Sequence, residues 1–279
     1  MIGLDETCIK NIVRRALDED LGTGDITTLL TVAPEKLGAA IILAKQECVV
    51  AGMELAARSF AQLNSEVEFL PLLKDGERAR EQEVIAQVSG RARTLLEAER
   101  VALNFLQRLS GIATVTRRYV ELTAGTNARI IDTRKTTPGL RRLEKYAVVV
   151  GGGHNHRFNL SDGILIKDNH ISAAGGVGLA IAAAKKNAPH TLKIECEVST
   201  LNQLDEAIAA GADAVLLDNM SIDMLAQAVE LAAGRVITEA SGGVNEDNVA
   251  AIAQTGVDLI SVGALTHSAP AVDISMRFE

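Results

Sequence analysis

The second half of the chain alternates short apolar runs with amphipathic stretches of helical period, and this alternation constrains the fold more than any other feature. The apolar runs are predicted to be strands at 128–133, 163–168, 192–198, 214–219, 236–241 and 258–265. The amphipathic stretches are predicted to be helices at 138–150, 177–186, 201–210, 222–233 and 246–255. Regular alternation of this kind is typical of parallel strands joined by helical crossovers.

The extent of the alternation indicates a shortened barrel. A complete eight-stranded barrel usually takes about 250 residues, whereas the alternation here covers only residues 114–267. We therefore predict a parallel α/β barrel of six or seven strands. A doubly wound open sheet is the alternative, because it also alternates strands and helices.

The first part of the chain has a different pattern. An amphipathic helix is predicted up to Leu21, and a long helical pattern begins at Ala92 with an interruption at Gly111. Strands are predicted around 41–50, 67–73 and 84–88. These elements predict a separate domain of helices and strands over residues 1–113. Residues 268–279 follow the barrel and are a candidate addition to that first domain.

The composition argues against several classes of protein. A formal net charge of -8, an aromatic content of 3% and no tryptophan do not suit a nucleic-acid surface. Cys8, Cys48 and Cys196 are far apart and odd in number, unlike a disulfide framework or a thiolate metal site. No apolar run approaches the roughly 18 residues of a membrane span, and the first residues form an amphipathic helix pattern rather than a signal peptide. We therefore predict a cytoplasmic protein without nucleic-acid or membrane partners.

One segment reverses the charge balance of the chain. Between Asp132 and His170, Lys and Arg outnumber Asp and Glu by seven to four, and three of the five histidines lie there. The seven cations are Arg134, Lys135, Arg141, Arg142, Lys145, Arg157 and Lys167. A local excess of cations in an acidic protein suggests a pocket for a small, multiply anionic molecule. Arg134, Arg157 and Lys167 are its predicted contacts, because they lie at loops and strand ends. Arg141, Arg142 and Lys145 are instead expected on the solvated side of a helix.

Every predicted barrel strand ends in polar or small residues. These ends are 132–135, 167–169, Glu197, 218–219, 239–243 and 263–264. In α/β barrels the carboxyl ends of the strands converge on one mouth, where catalytic groups lie. The sequence therefore predicts one site built from several strand ends.

Glu195 and Glu197 lie two residues apart on a predicted strand and therefore share a face. Buried carboxylates are costly unless they are paired with a cation or a metal. One interpretation is a pair of structural salt bridges to Lys167 or Lys193. The other is a site for Mg²⁺ and phosphate, formed with Asp218 on the next strand.

Two glycine-containing loops follow the last two predicted strands, at 241–243 and 262–264. Barrels commonly bind phosphate at this position, through backbone N–H groups and a helix N-terminus. His156, beside Arg157, is a further site candidate. Cys196 is expected to be a buried core thiol, since no base is paired with it.

Taken together, several motifs resemble those of quinolinate phosphoribosyltransferases, the carboxylating nicotinate-nucleotide pyrophosphorylases. The motifs are DTRKTTPGLR, GGGHNHR, LIKDNH, LLDN, SGGV and VGALTHS, with GDITT and AERVALNFLQRLSGIAT in the first part of the chain. The resemblance extends over the full chain without a departure at these motifs. It implies an N-terminal α/β sandwich followed by a shortened α/β barrel, and a homodimer or higher oligomer with shared active sites.

The resemblance also implies a reaction and a set of residues. Quinolinate and phosphoribosyl pyrophosphate would give nicotinate mononucleotide, pyrophosphate and CO₂, a step of NAD biosynthesis that uses Mg²⁺. Implied quinolinate contacts are Arg134, His156, Arg157 and Lys167, with Arg100 from the neighbouring subunit. Lys135 would be a catalytic cation on the pyrophosphate or ribose side, and Lys167 would assist decarboxylation. Glu197 and Asp218 would hold the ribose and bind Mg²⁺ largely through the substrate pyrophosphate. The implied 5-phosphate loops contain Ser241, Gly242, Gly243, Gly263 and Ala264, with His267 nearby.

Two other functions stay open from the sequence. A related phosphoribosyltransferase could act on another pyridine carboxylate, although it would not need Arg134, Arg157 and Lys167 together. A lyase could use Lys167 to form a Schiff base with a carbonyl substrate.

Overall fold

The computed structural model describes residues 4–279, and its elements can be given in chain order. The helices are α1 (Glu6–Leu21), α2 (Ile26–Thr31), α3 (Met53–Ala61), α4 (Ala92–Leu122), α5 (Arg141–Val150), α6 (Asp168–Ala174), α7 (Val177–Asn187), α8 (Leu201–Ala210), α9 (Ile222–Ala232), α10 (Val249–Gln254) and α11 (Ala264–His267). The strands are β1 (Leu37–Ala44), β2 (Cys48–Val49), β3 (Glu68–Pro71), β4 (Arg78–Ala79), β5 (Val84–Arg91), β6 (Arg129–Ile131), β7 (Ile164–Ile166), β8 (Ile194–Val198), β9 (Ala214–Asp218), β10 (Ile237–Ser241), β11 (Leu259–Ser261) and β12 (Ile274–Phe278).

The chain divides into two compact units. Unit 1 contains the chain up to Arg117, together with Arg142–Gly152 and Ala269–Glu279. Unit 2 contains Arg118–Arg141 and Gly153–Ser268. Segments of the two units therefore alternate along the sequence. No helix among residues 4–279 is both long and apolar enough to cross a membrane.

Unit 1 is built on an antiparallel sheet of order β12-β1-β5-β3, with a second ladder between β2 and β4. The central strand β1 pairs with β5 on one side and with the C-terminal strand β12 on the other, where Ala40 lies opposite Phe278. Apolar side chains of the sheet and helices, including Ile42, Phe60 and Leu95, form its core. Burial of such side chains supplies most of the stabilisation of a small sheet domain.

Helix α4 runs from Ala92 to Leu122 without a break, so the predicted interruption at Gly111 is wrong. Glycine lowers helix propensity, which is why the sequence suggested a break. The structure gives a different reason for this glycine. A Cβ added at Gly111 would lie 2.0 Å from the carbonyl oxygen of Pro270, so only glycine lets the C-terminal segment approach the helix.

Helix α5 corrects two predictions. It begins at Arg141 rather than at 138, because Gly139 has a left-handed φ of +81° and the preceding residues form a turn. Its Lys145 side chain is only 1% exposed, and Arg142 forms an ion pair of 2.8 Å with Asp5. The expectation that these cations lie on a solvated face is therefore wrong for Lys145.

Unit 2 is a six-stranded parallel sheet of order β6-β11-β10-β9-β8-β7. Going along the sheet from β7, the strands follow chain order to β11, and β6, the first strand, then pairs with the last. This cyclic order is that of a barrel, whereas a doubly wound sheet reverses its order at a switch point. All six predicted strands are present, and the predicted fold class is confirmed. Sequence patterns missed α6 and α11, together with α2 and α3 of unit 1.

Candidate functional site

The carboxyl ends of the unit 2 strands bring the predicted polar residues to one end of the sheet. Glu197 pairs with Leu216 of β9, and Ser241 pairs with Asp218. Glu197, Asp218 and Ser241 therefore end three neighbouring strands at nearly the same level. This is the geometry that the alternation of strands and helices predicted.

Asp132 anchors the loop that carries two of the predicted contacts. Its side chain is fully buried, and it accepts hydrogen bonds from the backbone N–H of His156 at 2.9 Å and from Asn155 Nδ2 at 2.6 Å. His154 forms a parallel bridge with Ile131. The loop is therefore held against the end of β6. Sequence analysis placed Asp132 only among the polar strand ends and did not predict this anchoring role.

Arg141 acts inside the site loops rather than at a solvated helix face. Its guanidinium donates to Thr136 Oγ1 at 2.9 Å, to the carbonyl of Arg134 at 3.2 Å and to that of Phe158 at 3.2 Å. These bonds tie the loop after β6 to the loop that follows Arg157. The expectation of a solvated Arg141 is therefore wrong.

Arg134 and Arg157 lie near each other in unit 2. Burial lowers the pKa of the Arg157 guanidinium, the positive charge of Arg134 lowers it further, and Glu195 acts in the opposite direction. The guanidinium of Arg157 also donates from Nη1 to the carbonyl of Gly163 at 2.9 Å. Two neighbouring guanidinium groups favour an anion between them, especially one with more than one carboxylate or phosphate.

Lys167 and Glu197 form an ion pair, with Nζ 2.5 Å from Oε2. Of the two interpretations of the glutamate pair, the salt bridge to Lys167 is thus confirmed for Glu197. The Lys167 side chain is 43% exposed and Glu197 is 14% exposed, so both groups remain reachable from solvent. Each can therefore exchange its partner for a ligand.

Glu195 has a different partner, which sequence analysis did not predict. His156 Nε2 lies 3.2 Å from Glu195 Oε2 and 3.6 Å from Glu239 Oε2. We call His156, Glu195 and Glu239 the inner cluster. Burial raises the pKa of Glu239 to about 8, and the negative charge of Glu195 adds to the rise, while His156 opposes it. Glu239 was seen only as part of a polar strand end, because its neighbours come from distant parts of the chain.

The loop after β10 packs closely against Asn219. Gly242 has a φ of +92°, and a Cβ placed there would lie 2.3 Å from Asn219 Oδ1. Asn219 donates to Asp218 Oδ2 at 2.9 Å, and its backbone N–H donates to the carbonyl of Ser241 at 2.9 Å. The glycine therefore meets both a steric and a conformational requirement.

The loop after β11 gathers the remaining predicted residues. A Cβ on Gly263 would lie 3.1 Å from Lys135 Cδ and 3.2 Å from His267 Nε2. Thr266 Oγ1 donates to the carbonyl of Lys135 at 2.7 Å. Ala264 begins the short helix α11, which ends at His267. Lys135 and His267 thus flank a glycine at the end of the last strand.

Two predicted residues lie elsewhere. Arg100 is exposed on α4, within unit 1. Cys196 is fully buried on β8, and burial raises the pKa of its thiol to about 11. The prediction of a core thiol is confirmed, because such a thiol is neither accessible nor ionised near neutral pH.

Comparison with known proteins identifies the family. Residues 112–277 match the family described as quinolinate phosphoribosyl transferase, C-terminal domain, and residues 25–110 match the corresponding N-terminal domain. The chain belongs to the quinolinate phosphoribosyltransferase family. A relative from Bacillus subtilis, named as a probable nicotinate-nucleotide pyrophosphorylase (carboxylating), is 47% identical over 96% of this chain and 92% of its own length.

Solved structures agree with this family. The crystal structure of NadC from Streptococcus pyogenes is 43% identical, with a TM-score of 0.96 over 99% of this chain and 97% of that chain. The nicotinate-nucleotide pyrophosphorylase from Francisella tularensis is 41% identical, with a TM-score of 0.95 over 99% of this chain and 98% of that chain. The family identified from sequence motifs is therefore confirmed. These matches favour phosphoribosyl transfer over a Schiff-base lyase.

Proposed function

We propose that this chain transfers the phosphoribosyl group of phosphoribosyl pyrophosphate to quinolinate and releases pyrophosphate and CO₂. The observation that carries the proposal is the grouping of cations in unit 2. The positive charge of Arg134 acts on Arg157, and Lys167, which directly follows β7, pairs with the carboxylate of Glu197. Membership of the family supports the same reaction.

Quinolinate carries two adjacent carboxylates, which match this set of cations. The forked donors of Arg134 and Arg157 suit a carboxylate, and Lys167 can leave Glu197 for the second one. Charge-assisted hydrogen bonds contribute about 1.5–3 kcal/mol each. A monocarboxylate would leave at least one partly buried cation unpaired, so we expect strong discrimination against nicotinate.

The glycine loops and two carboxylates would bind phosphoribosyl pyrophosphate. Backbone N–H groups at Ser241–Gly243 and Gly263–Ala264 would bind the 5-phosphate, with Lys135 and His267 beside them. Glu197 and Asp218 would hold the ribose hydroxyls. When Glu197 accepts the ribose, Lys167 is released towards the quinolinate carboxylate, so binding of one substrate prepares the position of the other.

Mg²⁺ fits the carboxylate oxygens of Glu197 and Asp218, which are hard ligands. Among residues 4–279 these two are not part of a three-ligand cluster of His, Cys, Asp or Glu, which supports binding largely through the substrate pyrophosphate. When bound, the ion would neutralise charge on the leaving pyrophosphate. We expect Asp218→Asn to raise the Mg²⁺ concentration that half-saturates activity, and unchanged Mg²⁺ dependence would exclude that residue.

The residues act mainly by positioning and electrostatics. Pyrophosphate leaves the ribose C1, and the pyridine nitrogen of quinolinate forms the new bond to C1. The ring nitrogen becomes cationic, so the electron pair left at C2 after loss of CO₂ is stabilised, and a proton then adds at C2. Arg134, Arg157 and Lys167 hold the carboxylates while the bond to one of them breaks.

Arg100 completes the proposal as a contribution from a second subunit. It is exposed on α4, and the family resemblance assigns it to the neighbouring active site. We propose a homodimer in which each site receives one such arginine.

One experiment tests the reaction directly. Quinolinate labelled at the 2-carboxylate and unlabelled nicotinate are each incubated with phosphoribosyl pyrophosphate and Mg²⁺, and pyrophosphate and CO₂ are measured. We expect equal amounts of both products from quinolinate and little pyrophosphate from nicotinate. Comparable turnover of nicotinate, or pyrophosphate release without CO₂, would contradict the proposal.

A further inference from the structure

The inner cluster places two glutamates behind a histidine of the proposed quinolinate site. Glu239 is only 1% exposed, and its Oε1 atom has no hydrogen-bond partner among the residues that the structure describes. Glu195 and His156 are 12% and 15% exposed. Buried carboxylates are costly to place, so their position against one imidazole ring calls for an explanation beyond packing.

The hydrogen bonds of the ring fix the location of its proton. The backbone N–H of Arg157 donates to His156 Nδ1 at 2.5 Å. A neutral imidazole has one donor and one acceptor nitrogen. Because Nδ1 accepts, the proton lies on Nε2, which faces Glu195 Oε2 at 3.2 Å. Both ring nitrogens therefore point at groups of this chain.

The same directions argue against a metal centre. One ligand atom from each residue of the inner cluster lies within 4.8 Å of the others, a spacing that would suit a cation. A histidine that binds a metal through Nε2 offers a lone pair there and carries its proton on Nδ1. Here Nδ1 already accepts the N–H of Arg157. A hydrogen-bonded cluster agrees with this arrangement and a metal centre does not.

Hydrogen bonds hold both the backbone and the side chain of Arg157. Its backbone N–H is bound by the imidazole ring, and its Nη1 donates to the carbonyl of Gly163 at 2.9 Å. The orientation of the His156 ring therefore helps to fix the position of the Arg157 backbone, from which the side chain extends. A tilt of the ring would move the guanidinium relative to Arg134.

We propose that Glu195 and Glu239 are positioning residues, which hold the His156 ring with its proton on Nε2 so that Nδ1 holds Arg157 in the orientation that binds a substrate carboxylate. This inference rests on the proposed function and deepens it. It gives His156 a role through Arg157 in addition to the substrate contact that the family resemblance implies. The two glutamates then set the affinity for quinolinate without touching it.

Kinetics provide the first test. Glu195→Leu and Glu239→Leu replace each carboxylate by an apolar side chain of similar size. We expect each to raise the KM for quinolinate about tenfold or more. The KM for phosphoribosyl pyrophosphate and kcat should change by less than about threefold. Glu239→Gln should restore much of the lost affinity, because its amide keeps a polar group of the same size against the His156 ring. Asp205→Asn, at an exposed position of α8, is the matched control.

Equal losses in kcat and in both KM values would overturn the proposal, since they would indicate a general structural role. So would a Glu239→Gln variant as impaired as Glu239→Leu. If the leucine variants do not fold, as shown by their thermal melts, the comparison of Glu239→Gln and Glu195→Gln with Asp205→Asn replaces them. Both glutamine variants should then bind quinolinate within about threefold of the unchanged protein.

A spectroscopic test needs no variant that perturbs folding. In protein labelled with ¹⁵N-histidine, the His156 ring, assigned by its loss in His156→Asn, should show a protonated Nε2 and an acceptor Nδ1. Addition of quinolinate should leave that tautomer unchanged. A proton on Nδ1, or a change of tautomer when quinolinate binds, would overturn the proposal. One Zn²⁺ bound per chain and lost in Glu239→Gln would overturn it as well.

These results are distinguishable from failure of the proposed function. If the unchanged protein releases no CO₂ from quinolinate, the proposed reaction fails, whereas the ring tautomer still reports on the cluster. If the protein is active and the ring has its proton on Nδ1, only the inference about Glu195 and Glu239 fails.

Discussion

The two sides of the strand-end site would present different groups to an anionic substrate. The cation side consists of the segments that follow β6 and that flank β7, where the charge comes from side chains: Arg134 acts electrostatically on Arg157, and Lys167 pairs with Glu197. On the side of β10 and β11, glycines at 242 and 263 leave room for backbone N–H groups, and Lys135 and His267 lie nearby. For the proposed reaction, the first arrangement would select a substrate by its number of negative charges, and the second would allow the backbone to approach a phosphate closely.

The difference has a structural cause. Guanidinium groups must be held apart from solvent and oriented, so the cation side needs supporting bonds from Asp132, Arg141 and the inner cluster. The donors of the glycine side belong to the backbone, and their loop is held by the N–H of Asn219, which donates to the carbonyl of Ser241, and by the side chain of Asn248, which donates to that of Gly243. Substitutions should therefore act on different substrates at the two sides.

The largest expected effect is on the cation side. Arg157→Ala removes a forked donor and should lower kcat/KM for quinolinate by about 10²-fold or more. The KM for phosphoribosyl pyrophosphate should change little. Steady-state kinetics with each substrate varied in turn measure both. The control is Arg129→Ala, which removes an exposed arginine at the opposite end of β6. A similar loss for both substrates would erase the distinction between the two sides.

On the glycine side we expect a smaller effect, and we expect it on phosphoribosyl pyrophosphate rather than on quinolinate. Gly242→Ala forces a Cβ against Asn219 at a positive φ, so it should raise the KM for phosphoribosyl pyrophosphate about tenfold, with quinolinate binding nearly unchanged. Gly234→Ala is the matched control, because its φ of +70° imposes similar backbone strain while nothing lies within 4 Å of the added Cβ. If Gly234→Ala had the same kinetic effect, strain rather than the loop would be responsible.

The third prediction asks whether the cation side is complete within one chain. Arg100→Ala and Lys167→Ala should each be nearly inactive, because each removes a proposed carboxylate contact. In a randomly mixed dimer one of the two sites has both residues, so co-expression should restore about a quarter of normal activity. Demonstrated mixing without recovery would mean that Arg100 does not act in the neighbouring site.

The smallest expected effect is on thermal stability and concerns Glu239 of the inner cluster. Since burial raises the pKa of Glu239 from 4.5 to about 8, the folded state loses stability relative to the unfolded state as pH rises through that interval. Glu239→Gln cannot ionise, so its Tm relative to the unchanged protein should increase by a few degrees between pH 5 and pH 8. A Tm difference that stays constant with pH, like that of Asp205→Asn, would contradict this.

Sequence patterns predicted the barrel well because its signals are local. Strand runs of apolar residues, and helix ends such as Gly211 with its left-handed φ of +81°, depend on neighbours in the chain. The short helix α6 was missed because its residues were taken for part of a strand end. Gly111 was misinterpreted because its partner, the carbonyl of Pro270, is far away in sequence.

The site shows the same limit. Arg134, Arg157 and Lys167 were predicted from charge and motif as contacts of an anionic ligand, and in the structure the charge of Arg134 acts on Arg157 and lowers its pKa. The sequence left two interpretations open for Glu195, a salt bridge to a lysine or a Mg²⁺-phosphate site, and its partner in the structure is a histidine. Lys145 was expected in solvent and is buried. Each of these cases depends on contacts between distant segments of the chain. The hydrophobic period and the spacing of motifs in the sequence do not reveal such contacts.

The pairing of β12 with β1 also determines when the sheet of unit 1 can be completed during synthesis of the chain. The strand opposite Ala40–Ala44 is made of residues 274–278, which are synthesised long after it. All of unit 2 is translated between these two strands. The sheet of unit 1 therefore stays open along one edge of β1 until β12 has been synthesised, and a nascent chain that stalls before then exposes that edge to other chains.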